Sequence, residues 1–166
     1  LVDEKDLSST GSNPFFPLQP GYQLVLASKD RREVVTVTVL DETKNVGGVE
    51  TRVVEERESE DGELVEVSRN FFAQCRETGD VYYFGEETDL YEDGEIVGSE
   101  GSWLAGEDDA QPGLIMPGTP LLGARFFQEV APDVALDRAE IVEACLSTEV
   151  PGGTFEGCLR TRETTP

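Results

Sequence analysis

Residues 49–76 read VETRVVEERESEDGELVEVSRNFFAQCR, and the pattern in this stretch decides the fold. Val49, Thr51 and Val53 alternate with Glu50 and Arg52, the period of two expected of a strand with one buried face. Glu60-Asp61-Gly62-Glu63 places an Asp-Gly pair at the favoured two-residue hairpin turn. Leu64 to Arg76 then returns as the partner strand. The same grammar continues on both sides. Downstream, the turn Glu77-Thr78-Gly79-Asp80 leads into Val81-Tyr82-Tyr83-Phe84, and Glu92-Asp93-Gly94-Glu95 repeats the hairpin chemistry before Ile96-Val97. Upstream, Gly47-Gly48 turns the chain after the β-branched run Val34 to Leu40, which follows a short apolar strand from Tyr22 to Ala27. Helical periodicity is nearly absent. The expectation is an all-β fold, a mainly antiparallel sheet of hairpins curved into a half-barrel, with a β-sandwich as the alternative.

Beyond Gly98 the rhythm breaks. The segment to Gly123 holds Gly101-Ser102-Trp103 and three prolines, Pro112, Pro117 and Pro120, and reads as a long structured crossover loop. A strand from Arg125 to Val130 follows, then an irregular or single-turn helical piece around Asp133 to Arg138. A last hairpin joins Ala139–Val150 to Thr154–Thr164. The 166 residues suit one domain with a core of its own. Residues 1–13 are polar and read as a processed or trimmed N-terminal linker, leaving residues 14–166 as the β domain.

Charge narrows the partners. Thirty-five acidic residues against 13 basic ones give a formal net charge of -22, and the only basic doublet is Arg31-Arg32. Phosphate backbones are bound by clustered Lys and Arg, so nucleic acid is not an expected partner. An anionic membrane surface would repel the chain for the same reason. No run of about 20 apolar residues is present to span a bilayer. The acids are interleaved with Val, Ile, Leu, Phe and Tyr, the pattern of a folded domain with a solvated acidic skin and not of a disordered tail. A saline habitat, divalent-ion binding and selection for solubility all fit that acidity equally.

The three cysteines are Cys75, Cys145 and Cys158. If the last hairpin turns on Pro151-Gly152, Cys145 faces Cys158 and Glu143 faces Arg160, and the two thiols form a cross-strand disulfide on the outward face. If it turns on Gly152-Gly153, Cys145 faces Arg160 and the thiols lie diagonally. The disulfide is the favoured reading and implies an oxidising compartment. Cys75 reads as a small packed residue.

Chemistry has little to work with. The chain has no His, which removes the usual general base and the Ser-His and Cys-His nucleophile pairs. The carboxylates are so many that some pair falls at catalytic separation by accident, so no catalytic residue is assigned and no cofactor is expected. Calcium is the chemical alternative: Glu107, Asp108 and Asp109 are weak candidates, as are Glu86-Glu87-Thr88-Asp89 with Glu92-Asp93, although neither group has EF-hand spacing. The largest apolar assets are Trp103 and the aromatics Phe71, Phe72, Tyr82, Tyr83, Phe84, Phe126 and Phe127. Adjacent strand residues point to opposite faces. Phe71-Phe72 and Phe126-Phe127 therefore need a sheet that is strongly curved or covered on both sides, whether by the long loop, by an apolar ligand or by a partner chain. Trp103, Phe71, Phe72, Tyr82, Tyr83, Phe126 and Phe127 are the candidate contact or ligand surface.

Four separated motifs occur in order: Asn13-Pro14-Phe15-Phe16-Pro17-Leu18-Gln19-Pro20-Gly21, Gly79-Asp80-Val81-Tyr82-Tyr83-Phe84-Gly85-Glu86, Gly101-Ser102-Trp103 with Pro112-Gly113 and Ile115-Met116-Pro117, and Val150-Pro151-Gly152-Gly153-Thr154-Phe155 with Cys158-Leu159. As a set they resemble a family of uncharacterised bacterial secreted or lipoprotein-type β-rich domains. That resemblance implies export, a β-rich fold and no assigned activity. It also implies that further C-terminal strands follow in other members, so that the domain is incomplete here. The family's lipid-anchoring cysteine near the start has no counterpart. The functional expectation is an extracellular or periplasmic protein, attached to the cell surface in some settings, that is not an enzyme. It would serve as an accessory or structural subunit of an envelope or extracellular assembly, or as a binding module. The alternatives are a carrier of an apolar ligand within a curved sheet and a calcium-dependent structural domain.

Overall fold

The computed structural model describes residues 3–165. Leu1 and Val2 of the expected linker and Pro166 of the expected domain lie outside the described residues. After a single 3-10 turn at Glu4–Asp6 come β1 (Leu7–Ser8), β2 (Ser12–Asn13), β3 (Phe16–Pro17), β4 (Gln23–Ala27), β5 (Glu33–Val46), β6 (Val49–Glu60) and β7 (Glu63–Cys75). They are followed by β8 (Val81–Glu92), β9 (Glu95–Gly98), β10 (Trp103–Leu104), β11 (Gly113–Met116), β12 (Arg125–Phe127), β13 (Arg138–Val150) and β14 (Gly153–Thr164). The fold is all-β, built of antiparallel sheets, and none closes into a barrel.

The turns are made by the residues that tolerate them. Gly47-Gly48, Asp61-Gly62 and Asp93-Gly94 all have positive φ at both positions, the geometry of the two-residue turn whose twist matches its flanking strands. These turns generate the main sheet, a meander in the order β4-β5-β6-β7-β8, with β9, β10 and β11 on the far side of β8 and β1 on the end of β7. A second sheet has the order β12-β13-β14, and β2 pairs with β3. The crossover segment 98–123 is structured, as expected, and supplies β10 and β11. Around Asp133 the chain makes a turn and not a helix.

The core lies at one end of the meander. In β6, Val49 and Thr51 to Val54 are buried and the residues from Glu55 onward are half-buried or exposed, while β7 is buried mainly from Val67 onward. Phe71 is 1% exposed and Phe72 5%, although they point to opposite faces. On one face runs an aromatic row: Phe16 edge-on to Phe72 at 4.8 Å, Phe72 stacked on Tyr83 at 4.7 Å, and Tyr83 edge-on to Trp103 at 5.3 Å. On the other, Phe71 stands opposite Val53, with the Lys44 ammonium 4.6 Å from its ring centre. Trp103, Ala105 and Ala110 of the crossover segment and Leu18 near the N-terminus join the same cluster.

Residues 3–13 are not a linker, a correction to the sequence reading. β1 pairs with the end of β7. Asn13 is buried; its side chain donates to the carbonyls of Gly79 (3.0 Å) and Pro117 (3.3 Å), and its backbone N–H donates to Gln74 Oε1 (3.1 Å). Arg52, 5% exposed, donates through Nε to the Ser9 carbonyl at 2.9 Å and through Nη1 to those of Leu40 and Glu42, both at 3.3 Å. The last two carbonyls lie within the irregularity where β5 slips against β6 between Val39 and Thr43. One guanidinium thus satisfies carbonyls that this break and the arriving N-terminal segment leave without ladder partners. Polar patterning hid this, because a polar segment tied down by hydrogen bonds reads like one in solvent.

Arg52→Ala removes those donors together and is expected to destabilise the fold by about 3 kcal/mol, read as a lower urea midpoint with an unchanged slope. An unchanged midpoint would show that the N-terminal segment is held by other means.

Candidate binding site

The structure redistributes the residues singled out in the sequence. Phe71, Phe72, Tyr83 and Trp103 are buried in the core, and Tyr82 and Phe126 are half-buried. Phe127, 48% exposed, remains on the surface. The expected aromatic contact face is therefore a correction: the chain's own N-terminal and crossover segments cover the second side of the sheet.

The last hairpin does turn on Pro151-Gly152, and Glu143 does stand opposite Arg160, with which it forms an ion pair. Cys145, however, does not face Cys158; Leu146 does. The register shifts on either side of the Leu146–Cys158 pair, at Cys145 and Gly157, which both have positive φ, 58° and 73°. The residues inserted at Cys145 on β13 and at Gly157 on β14 offset each other, so Glu143–Arg160 and the turn share the expected register, while a further shift between Ile141 and Glu143 moves the far end, where Glu140 faces Arg162, by one residue. All three thiols are free in the structure, Cys75 buried and Cys145 exposed, so the expected disulfide is corrected here. Glu107, Asp108 and Asp109 lie exposed in the turn after β10. Among the described residues no three His, Cys, Asp or Glu side chains come together in a way that could hold a metal ion. Among the same residues no helix is long and apolar enough to cross a membrane.

The most open apolar surface lies elsewhere. β4 is exposed at every position, with Leu24, Val25 and Leu26 at 41%, 56% and 51%. β5 covers one side of it, and among the described residues no strand pairs with the other. Hydrogen bonds at the ends of this ladder, from the Val39 N–H to the Tyr22 carbonyl and from the Ser28 N–H to the Glu33 carbonyl, set the alternation: even-numbered residues bond inward. The N–H and C=O groups of Gln23, Val25 and Ala27 accordingly point outward, unpaired. Edge strands are usually blunted by charge, proline or a bulge. β4 has none of these within Gln23–Ala27.

Facing this edge is the tip of the β13–β14 hairpin. Between them lies a cleft of 780 Å³ walled by Leu24, Val25, Leu26, Val150, Pro151 and Phe155, with Lys29 and Arg31 at its border. Neither cation forms an ion pair among the described residues. Sequence reasoning passed over this edge, although a signal existed: residues 7–29 contain no Asp or Glu, in a chain that carries 35.

A different patch gathers carboxylates. Glu58 stands opposite Glu66, with Glu56 on the same face of β6 two residues away, and Glu86 stands opposite Asn70 on β8. Burial, with Glu66 and Glu56 nearby, raises the Glu86 carboxyl to about 7; burial together with Glu86, Asp137 and Glu163 raises Glu129 to about 7 as well. Burial also lifts Glu56 and Glu66 above the usual range, each helped by neighbouring glutamates. Tyr83 donates from its hydroxyl to Asn70 Oδ1 at 2.5 Å, and Asn70 donates in turn to Ser68 Oγ at 3.0 Å. The buried side of this patch is a hydrogen-bonded chain that runs from Tyr83 through Asn70 to Ser68.

The fold is all-β, and β4 is an open edge of its main sheet. Set against protein-family models, curated proteins and solved structures, the chain matches none.

Because Glu86 and Glu129 hold protons more tightly folded than at the ordinary value of 4.5, the folded state binds extra protons between about pH 4.5 and 7, and stability falls as pH rises through that window. Melting temperature is expected to be lower at pH 8 than at pH 5. Glu86→Gln should raise it at pH 8 by roughly 2–4 °C while changing it little at pH 5. An equal effect at both values would show that Glu86 is not protonated in the fold.

Proposed function

We propose that this protein is a non-enzymatic binding module of the cell exterior, serving as an accessory or structural subunit, and that its contact is the β4 edge with the adjoining cleft. The observation that carries this reading is the uncovered, uncharged apolar strand from Gln23 to Ala27, whose outward backbone groups await a partner. The occupant is an extended segment of another protein chain that adds to β4 as a strand. Its apolar residues would enter the cleft beside Leu24, Leu26 and Phe155, and an acidic residue at its end would meet Lys29 and Arg31. The dense negative charge elsewhere repels other copies and confines association to this acid-free edge. An exterior location accords with the resemblance of the four motifs to exported bacterial domains. The cleft's volume favours one second reading, a carrier that lodges an apolar molecule there.

Val25→Pro tests the proposal cleanly. It removes an outward N–H and leaves the β4–β5 ladder intact. Native mass spectrometry of wild-type protein from its source is expected to show a complex with one other chain, and the same preparation of Val25→Pro is expected to show the bare monomer. A partner retained equally by the variant, or no partner in either preparation, overturns strand addition. A small apolar mass retained by both forms establishes the carrier reading instead.

A further inference from the structure

The second sheet carries a feature of different chemistry, on strands far from β4 in sequence and with its own lining residues. Every cation beyond Glu77 is an arginine of this sheet: Arg125, Arg138, Arg160 and Arg162. The register sets them in rows. Arg125, Glu140 and Arg162 stand side by side across β12, β13 and β14, and Phe127, Arg138 and Thr164 form the next row. Residues two apart on a strand share a face. One face therefore presents three arginines, one glutamate, an exposed phenylalanine and a threonine hydroxyl. Ala139, between the rows, points the other way and is buried.

Glu140 accepts ion pairs from both neighbours, Arg125 at 3.3 Å and Arg162 at 3.4 Å. Arg138 forms no ion pair among the described residues; its guanidinium lies over the Phe127 ring, 5.3 Å from the ring centre. Three guanidinium groups around a single carboxylate leave this face net positive, in a chain whose formal charge is -22. A solubility-driven surface would not gather cations here. The same side chains line a hollow of 380 Å³, room for a small organic molecule and not for a polypeptide strand.

We propose that this hollow binds a small organic carboxylate with a flat apolar body. The carboxylate would take paired N–H donors from Arg138 and Arg162 in the forked geometry that guanidinium offers. Thr164 supplies a hydroxyl donor, and the flat body lies against the Phe127 ring. Glu140 holds Arg125 and Arg162 in place and disfavours a second anion.

The probe is 1-naphthoate, titrated into the full chain and followed by amide chemical shifts. Saturable shifts are expected at Phe127, Arg138 and Thr164. Arg162→Gln should weaken binding roughly tenfold, the loss of one charge-assisted pair. Arg138→Gln should do the same and also displace the Phe127 ring signals. Arg69→Gln, which removes a charge from the main sheet, should leave the affinity unchanged. Acetate and 1-naphthalenemethanol, lacking the flat body and the charge respectively, should each bind at least about tenfold more weakly. All these substituted arginines are surface residues, and matched melting curves confirm that each variant is folded. Absence of saturation, shifts centred on Leu24–Ala27, or equal losses from Arg69→Gln and Arg162→Gln would each overturn the proposal.

Discussion

Two adjacent aromatic residues on one strand, Phe71 and Phe72, impose the constraint on which the rest of the structure depends. Alternation sends their rings to opposite faces of β7, and both are nearly inaccessible to water, so the sheet must be covered twice at this level. Phe16 and Trp103 extend the aromatic row on the Phe72 side, while Val53 and Lys44 pack with Phe71. The segments that bring Phe16, Leu18, Trp103 and Ala110 into the cluster have little regular structure of their own. Their place in the fold is set by the rings they cover and by hydrogen bonds such as those of Asn13 and Arg52. Concentrating the cover at one end of the meander leaves the other end, β4 and the tip of the last hairpin open to solvent.

Electrostatics follow from that distribution. Most carboxylates sit on wet strand ends, where water solvates them. Glu86 and Glu129 lie close enough to the covered region that burial and mutual repulsion keep their protons on near neutrality. The cations are not spread evenly to neutralise the acids. Arg52 is used internally, and Arg125, Arg138 and Arg162 share one face of the second sheet. Lys29 and Arg31 border the acid-free edge. Each exposed group marks a place where the acidic skin is interrupted, and those interruptions are where an approaching partner meets attraction instead of repulsion.

How much of this the sequence disclosed depended on how local the cause was. The hairpin turns were legible because Asp-Gly and Gly-Gly pairs adopt positive φ for reasons confined to two residues. The strands were legible from their period. The offset of Cys145 from Cys158 was not, because no local residue pair marks the bulges at Cys145 and Gly157 that produce it. The burial of Trp103 and Tyr83 was equally hidden: a strand shows which residues share a face, but what covers that face comes from residues distant in the chain. For the same reason β4 could be read as a strand but not as an edge, and its lack of acidic neighbours was the remaining clue.

Hydrogen–deuterium exchange followed residue by residue on the protein alone tests the central claim, a core closed on both sides of Phe71 and Phe72 beside an edge left open. The account predicts that the amides of Gln23, Val25 and Ala27 exchange fastest among the main-sheet strands. Leu24 and Leu26, bonded to β5, should be slower, and residues 70–75 with 81–84 slowest of all. Protection of Val25 equal to that of Phe71, or exchange at Phe71 and Phe72 as fast as along β4, would contradict it.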